Sequence, residues 1–244
     1  MRTRPAAASA AIALVAVLLT APAALAGRPD GRPNNPRHGF GRGTSTNWSG
    51  YAVTGSGATH VIGTWTAKSV SCRSGENSWS SPWVGVDGDN SNTVEQIGTD
   101  SDCQGGTPIY YAWYEMYPKS LVELSMAVHS NDSFTGEVTS GSGGKFTLKL
   151  TNNTTHASFQ TTQTSKRARR SSVEWILEGP SSGLLSNFGS QPFSAASATI
   201  GGRTASLGSL PGADPITMIN NQGVQRAVPS SVSGGSFSVA WKHG

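Results

Sequence analysis

Charge is scarce in this sequence. Asp, Glu, Lys and Arg make up 13% of its 244 residues, about half the share usual in soluble domains. From Thr44 onward, twelve Lys and Arg stand against thirteen Asp and Glu, a net charge of −1. The first 43 residues carry +5, the whole source of the chain's formal +4, and the charge balance gives a nucleic-acid partner no support. Cysteine is scarcer still, with only Cys72 and Cys103. A fold stapled by many disulfides is excluded, and in an oxidising compartment these two are expected to pair. Beyond the N-terminus no apolar run is long enough to span a bilayer, which excludes a membrane-embedded body. The five histidines (His38, His60, His129, His156 and His243) are scattered, without an H-E-x-x-H pair. A zinc site is therefore not predicted. Helical periodicity is almost missing.

What is present begins with a leader. Arg2 and Arg4, an apolar run over 10–21 and the small residues Ala24-Leu25-Ala26 read as a secretory signal peptide over 1–26. Residues 27–43 hold four Arg against Asp30, are rich in Gly, Pro and Asn, and carry Phe40 as their one large apolar side chain. Such a stretch cannot build a core and reads as a linker or a short basic pro-segment. As a pro-segment it would lie against an acidic cleft at neutral pH and leave when the carboxylates protonate. Residues 44–244 then form one domain, long enough to bury a core of its own.

From Asn47 onward, short β-type runs alternate with Gly, Ser, Asn and Pro. They fall at 48–53, 60–67, 79–86, 93–98, 109–117, 121–129, 144–151, 158–164, 173–177, 197–200, 216–220 and 236–241, with a helical turn expected over 182–188. Many such runs at even spacing predict an all-β sandwich. Strand parity then sorts the polar residues. Glu174 and Ile176 face away from Val173, Trp175 and Leu177. Trp83 shares a face with Asp87, Glu115 with Tyr111, Trp113 and Tyr117, and Gln96 lies opposite Glu95 and Ile97. A face lined with Trp, Tyr and carboxylates suits an extended polymer. Parity alone fits equally well a set of core aromatics with carboxylates turned to solvent.

These stretches together resemble the glutamic peptidase family, also called eqolisins. The matching pieces are Asn47-Trp48-Ser49-Gly50-Tyr51, Trp83-Val84-Gly85-Val86-Asp87-Gly88-Asp89, Glu95-Gln96-Ile97-Gly98, Tyr111-Ala112-Trp113-Tyr114-Glu115-Met116-Tyr117-Pro118 and Glu174-Trp175-Ile176. They stand in the family's order. The resemblance implies a lectin-like (concanavalin A-like) jelly roll of two large antiparallel sheets. It also implies a secreted endopeptidase that works in acid on protein or peptide substrates, needs no cofactor and resists pepstatin. The family's catalytic glutamate falls on Glu174 and its catalytic glutamine on Gln96, with Trp83, Asp87 and Glu115 in the same cleft. Asp87 and Glu115 are expected to orient the pair through hydrogen bonds. A monomer without membrane or nucleic-acid partners is expected.

The residue types suit that chemistry. A glutamate can take a proton from water and return it to a leaving amine. An ordinary carboxylate titrates near pH 4.3, so it remains a usable base where a serine–histidine pair would be protonated. A glutamine amide can donate to a developing oxyanion. The sequence departs from the fungal pattern in its short basic segment, its cysteine pair and its near-neutral body, the last of which predicts a milder acid optimum. Two other readings use the same face: a lectin-like carbohydrate-binding module, and a glycoside hydrolase with Glu115 and Glu174 as its carboxylates.

Other signals are weak. Gly179-Pro180-Ser181-Ser182-Gly183 fits G-x-S-x-G but lacks the following helix. Asp87-Gly88-Asp89-Asn90 opens like a calcium loop, yet Gly98 stands where the closing glutamate belongs. The basic run 166–170 reads as a solvated loop or a processing site. Asn47, Asn131, Asn152 and Asn153 fit the glycosylation sequon.

Overall fold

A computed structural model describes residues 43–89 and 91–244. The leader and all but the last residue of the 27–43 segment lie outside the described residues. What is described is a sandwich of two antiparallel sheets, the architecture expected from the strand pattern.

One sheet runs in the order Ala213–Ile219, Trp48–Thr54, Ser172–Glu178, Ser81–Val86, Val94–Gln104, Thr107–Tyr117 and Val122–Glu123. The other begins with Ser158–Thr164, Lys145–Asn152, Ser133–Ser140, His60–Thr66 and Ser190–Ile200. There Phe237–Trp241 pairs with the first half of Ser190–Ile200 and Arg203–Ser206 with the second. Gln225–Pro229 follows beside Phe237–Trp241. The Ala213–Ile219 strand belongs to both layers. Ala213 to Ile216 pair with Trp48–Thr54, while Met218 and Ile219 pair with Gln225–Pro229.

Alternation puts Tyr51, Val53, Val84, Ile97, Val173, Trp175 and Leu177 of the first sheet against Val61, Trp65, Phe134, Val138, Leu148 and Phe193 of the second. Two indoles tie the layers together. Trp175 Nε1 donates to the Ile62 carbonyl at 2.8 Å, and Trp65 Nε1 donates to Thr99 Oγ1 at 2.9 Å. Gly63 and Gly136, paired across neighbouring strands, leave room for them. A Cβ at Gly63 would stand 2.7 Å from Trp175 Cδ1, and one at Gly136 2.8 Å from Trp65 Cζ3. Each indole buries roughly 200 Å² of surface, an upper limit of about 5 kcal/mol apiece.

Three local expectations are corrected. Residues 121–129 hold only the two-residue strand Val122–Glu123. Past it the chain leaves the pleat, and Leu124 and Val128 enter the core as isolated plugs. Residues 182–188 form no helix; Leu184–Leu185 pairs in parallel with Ser78–Trp79 instead. Ser133–Ser140 is a strand that the run pattern missed, because Gly136 interrupts the inward series Phe134, Val138.

The Gln96 strand reaches the Glu115 strand through a two-residue hairpin. Gly105 and Gly106 have φ of +58° and +87°, and Gln104 pairs with Thr107. Positive φ at both central positions defines the primed turn whose twist matches that of the strands, and glycine adopts it without a Cβ clash. This turn fixes the register for the whole ladder. Counting back from it sets Gln96 opposite Glu115.

Candidate active site

The site is built on the first sheet's outer face, turned away from the second sheet. Directly paired residues share a face, and the ladder reads Asp214, Ala52, Glu174, Gly85, Gln96, Glu115 across six strands. Glu174 and Gln96 therefore stand on either side of Gly85. Two strand spacings of about 4.8 Å separate their backbones by roughly 10 Å, with a residue that has no side chain between them. A Cβ at Gly85 would lie 2.9 Å from Trp83 Cζ3 and 3.1 Å from Gln96 Cβ.

Around this row packs a second apolar cluster of Trp48, Ala52, Trp83, Val94, Trp113, Ile176 and Ile216, with Tyr111, Tyr117 and Leu121 at its margin. The Trp48 and Trp83 rings meet edge to face at 5.0 Å. Trp83 Nε1 donates to Glu178 Oε2 at 3.0 Å, and Asn47 Nδ2 donates to Glu178 Oε1 at 3.2 Å. Glu178 thus fixes the indole that walls the site.

Gln96 is buried. Its Nε2 donates to Glu115 Oε2 at 2.7 Å. This bond orients the amide and leaves Nε2 a second N–H. Gln96 Oε1 and both oxygens of Glu174 are buried without a hydrogen-bond partner. Burial pushes the Glu174 carboxyl well above the usual carboxylate range. The Ser172 hydroxyl and the Asp89 amide favour its anion, while the charges of Asp89 and Asp87 oppose it. Desolvation outweighs these contacts.

The structure brings Glu174, Gln96, Glu115 and Trp83 to one face. Asp87 is placed differently from its expected role beside the pair. It ends the strand parity with φ of +67°, and its carboxylate accepts the backbone N–H groups of Arg169, Arg170 and Ser171, each at 2.8 Å. It clamps the loop that leads into the Glu174 strand. Cys72 and Cys103 form a disulfide, joining the segment before the Trp83 strand to the far end of the Gln96 strand. The basic run 166–170 has exposed side chains at Lys166, Arg167, Arg169 and Arg170, but its last residues are held at the backbone by Asp87.

Sequence reading missed Asp100, Asp102 and Glu178 on the same face. Asp100 accepts from Trp113 Nε1 at 2.7 Å and from the Ser81 and Tyr111 hydroxyls. Tyr111 also donates to Asp102 Oδ2 at 2.9 Å. Parity could have found them, since Gln96, Asp100 and Asp102 are spaced by even numbers, as are Glu174 and Glu178. Among the described residues no group of three or more His, Cys, Asp or Glu is arranged to hold a metal ion.

On an aromatic face of the β-sandwich, a buried glutamate and a glutamine flank a bare backbone position, side chains of the types that acid–base and oxyanion chemistry use. The comparisons with known proteins agree on the class. Residues 46–241 match the peptidase A4 family. Aspergillopepsin-2 of Aspergillus niger is 33% identical over 226 residues, spanning 81% of this chain and 78% of that protein. Scytalidopepsin B of Scytalidium lignicola is 31% identical over 138 residues, 54% of this chain and 51% of that one. The crystal structure of scytalido-glutamic peptidase with a peptide-based transition-state analogue superposes with a TM-score of 0.69 at 26% identity, covering 81% of this chain and 98% of that chain. Aspergilloglutamic peptidase from Aspergillus niger gives 0.59 at 28% identity, covering 67% and 99%. The chain belongs to the peptidase A4 family, and it is a glutamic endopeptidase.

Proposed function

We propose that this peptidase is secreted and works in acid through Glu174 and Gln96. The observation that carries this reading is their shared row on the outer face, with Gly85 between them. The Glu174 carboxylate removes a proton from a water held over Gly85, and the water oxygen attacks the scissile carbonyl carbon. The Nε2 N–H of Gln96 that is not bound to Glu115 donates to the oxyanion that develops. Glu174 then passes the proton to the amide nitrogen, and the C–N bond breaks. Glu115 acts through Gln96, fixing its amide, and Glu178 acts through Trp83. Residues 1–26 direct export in this reading, and the basic 27–43 segment covers the acidic face until acid releases it.

Burial makes Glu174 a stronger base once ionised but also holds its proton in strong acid. The acid limb of kcat/KM is therefore expected above the ordinary glutamate pKa of about 4.3, a mild acid profile. The glycoside-hydrolase reading fits less well. Glu115 is three strand spacings, roughly 14 Å, from Glu174 at the backbone, with Gln96 between, and carboxyl pairs in glycosidases lie about 5–9.5 Å apart. The lectin reading needs exposed rings, whereas Trp48, Trp83 and Trp113 are buried.

The test is casein hydrolysis across acid pH with pepstatin present, using protein secreted from the full-length gene and sequenced at its N-terminus. Wild type should cleave, and Glu174→Gln, folded by circular dichroism, should lose about 10²–10⁴-fold. Gln96→Ala should lose on the order of 100-fold, mainly in kcat. Activity surviving in Glu174→Gln would move the base to another carboxylate of the face.

A further inference from the structure

Among the described residues five indoles are fully buried, and four of them find an acceptor. Trp65 donates to Thr99 Oγ1, Trp83 to Glu178 Oε2, Trp113 to Asp100 Oδ1 and Trp175 to the Ile62 carbonyl. Trp48 is the exception. Its Nε1 is buried with no hydrogen-bond partner among the described residues. An indole N–H can only donate, and a buried donor left unpaired is costly. Such groups are answered by protein, water or a ligand in nearly every native structure. The mechanism above makes no use of Trp48.

Trp48 pairs with Glu178 and packs on the outer face with Ala52, Trp83 and Ile176. The Trp83 ring meets it edge to face at 5.0 Å, and Trp83 Cζ3 is the atom nearest the missing side chain of Gly85. A Cβ at Gly88 would stand 2.8 Å from Trp48 Cη2 and 3.4 Å from its Cζ2. Cζ2 is the benzo carbon on the nitrogen side of the indole, so the N–H lies on the edge of the ring next to this corner. The same Cβ would lie 2.8 Å from Cγ2 of Val94, which shares the outer face with Gln96 two residues on. Gly88 leads to Asp89, whose carbonyl accepts from Ser172 Oγ at 3.3 Å, two residues before Glu174. The unpaired donor therefore sits where the Gln96 strand and the Glu174 strand both begin.

Gln96 Oε1 and both oxygens of Glu174 are the buried acceptors left open on this face. Trp48 Nε1 is the open donor beside them. All three residues are closed off alike, Trp48 and Glu174 at 0% exposure and Gln96 at 1%. Any opening that admits a peptide to the dyad thus admits it to the Trp48 N–H. An extended peptide advances about 3.3 Å per residue and carries a carbonyl oxygen on each. The oxygen of the scissile bond is served by the Gln96 N–H that Glu115 leaves free. A second fixed donor nearby meets a carbonyl that flanks it.

We propose that Trp48 is a further substrate-contacting residue: its indole N–H donates to a backbone carbonyl oxygen of the bound peptide, on a residue adjoining the scissile bond, and so fixes the register of the peptide over Gly85. A backbone carbonyl is common to every sequence, so this contact aligns the chain without selecting a side chain. The place of the scissile bond rests on the Glu174 and Gln96 reading, whereas the contact with the peptide does not.

The test compares wild type and Trp48→Phe on a peptide spanning a casein cleavage site. Phenylalanine keeps a ring in the cluster and removes the N–H. A contact made equally in the bound and transition states is read in KM. KM should rise about 3–10-fold, the scale of one hydrogen bond, with kcat within about twofold. An unchanged KM, with or without a loss in kcat, overturns the proposal. If Trp48→Phe does not fold, a crystal structure of the unaltered enzyme decides. The enzyme is bound to the same peptide with its scissile amide replaced by a reduced –CH2–NH– bond, which removes the scissile carbonyl and keeps those beside it. Trp48 Nε1 at about 2.9 Å from a flanking carbonyl oxygen supports the proposal, and an N–H without a peptide acceptor sinks it. Casein hydrolysis surviving in Glu174→Gln would remove the dyad reading alone and leave both of these measurements to judge Trp48.

Discussion

At the scale of single residues, the smallest side chain on the active face decides the geometry. Gly85 sits between Glu174 and Gln96 in the row, and the proposed mechanism holds the reacting water over it. Gly85→Ala would drive its methyl against the Trp83 ring and Gln96 Cβ, at 2.9 and 3.1 Å. Overpacking of this kind costs about 1–3 kcal/mol. The expected outcome is a protein that folds with a lower Tm and loses kcat/KM by on the order of 100-fold, the scale of loss that a misplacement of about 1 Å can cause. Kinetics on a peptide substrate beside a thermal melt would check it; wild-type kcat/KM in Gly85→Ala would place the reacting water elsewhere. Glu174, Gln96, Glu115 and Trp83 were legible in the sequence through the resemblance to the glutamic peptidases, whereas parity alone left them as one half of an even choice. Asp87 was legible as a residue but not in its role, because its positive φ breaks the parity and turns the carboxylate to the 169–171 backbone.

At the scale of elements, the hairpin between Val94–Gln104 and Thr107–Tyr117 sets which residues meet. Its two glycines fix the turn, and the turn fixes the Gln96–Glu115 pair. A Cβ added at Gly105 would meet nothing within 4 Å, but the residue's φ is +58°. Gly105→Ala therefore tests backbone strain without steric interference, and should cost roughly 1–2 kcal/mol. Urea unfolding should report that loss with an unchanged slope, whereas an undiminished midpoint would mean the turn relaxes to another type. A register slip would turn Gln96 to the wrong face and silence the enzyme. The sequence showed that both runs are strands but not that they extend to this turn. The polar residues after Gly98 hide the strand's continuation, and they include the acidic residues that line the face.

At the scale of the whole molecule, one covalent link and one proton balance stand out. The Cys72–Cys103 disulfide closes a separation of 31 residues. Constraint of the unfolded chain over such a loop is worth about 3–4 kcal/mol. Replacing both cysteines by serine should lower stability by about that amount in urea titration, and the loss should be similar at pH 4 and pH 6, since neither cysteine titrates when paired. A much smaller loss would mean that the segment before Trp83 stays ordered without the link. Burial raises the Glu174 and Glu95 carboxyls above the usual range, so the stability they contribute is expected to be present in acid and to fall as pH rises.

The sequence by itself determined the all-β class, the family and the residues able to do acid–base chemistry, because alternation and residue type are local properties of the chain. It also determined that the two cysteines are the pair available for a disulfide. Only the tertiary structure decided that Glu174 and Gln96 flank Gly85, because strand order depends on which distant segments pair. It alone decided that Asp87 serves the loop rather than the dyad. The Asp87 clamp joins residues more than 80 positions apart in the chain. Those distant backbone amides hold the left-handed turn at Asp87, which no local pattern in the chain records.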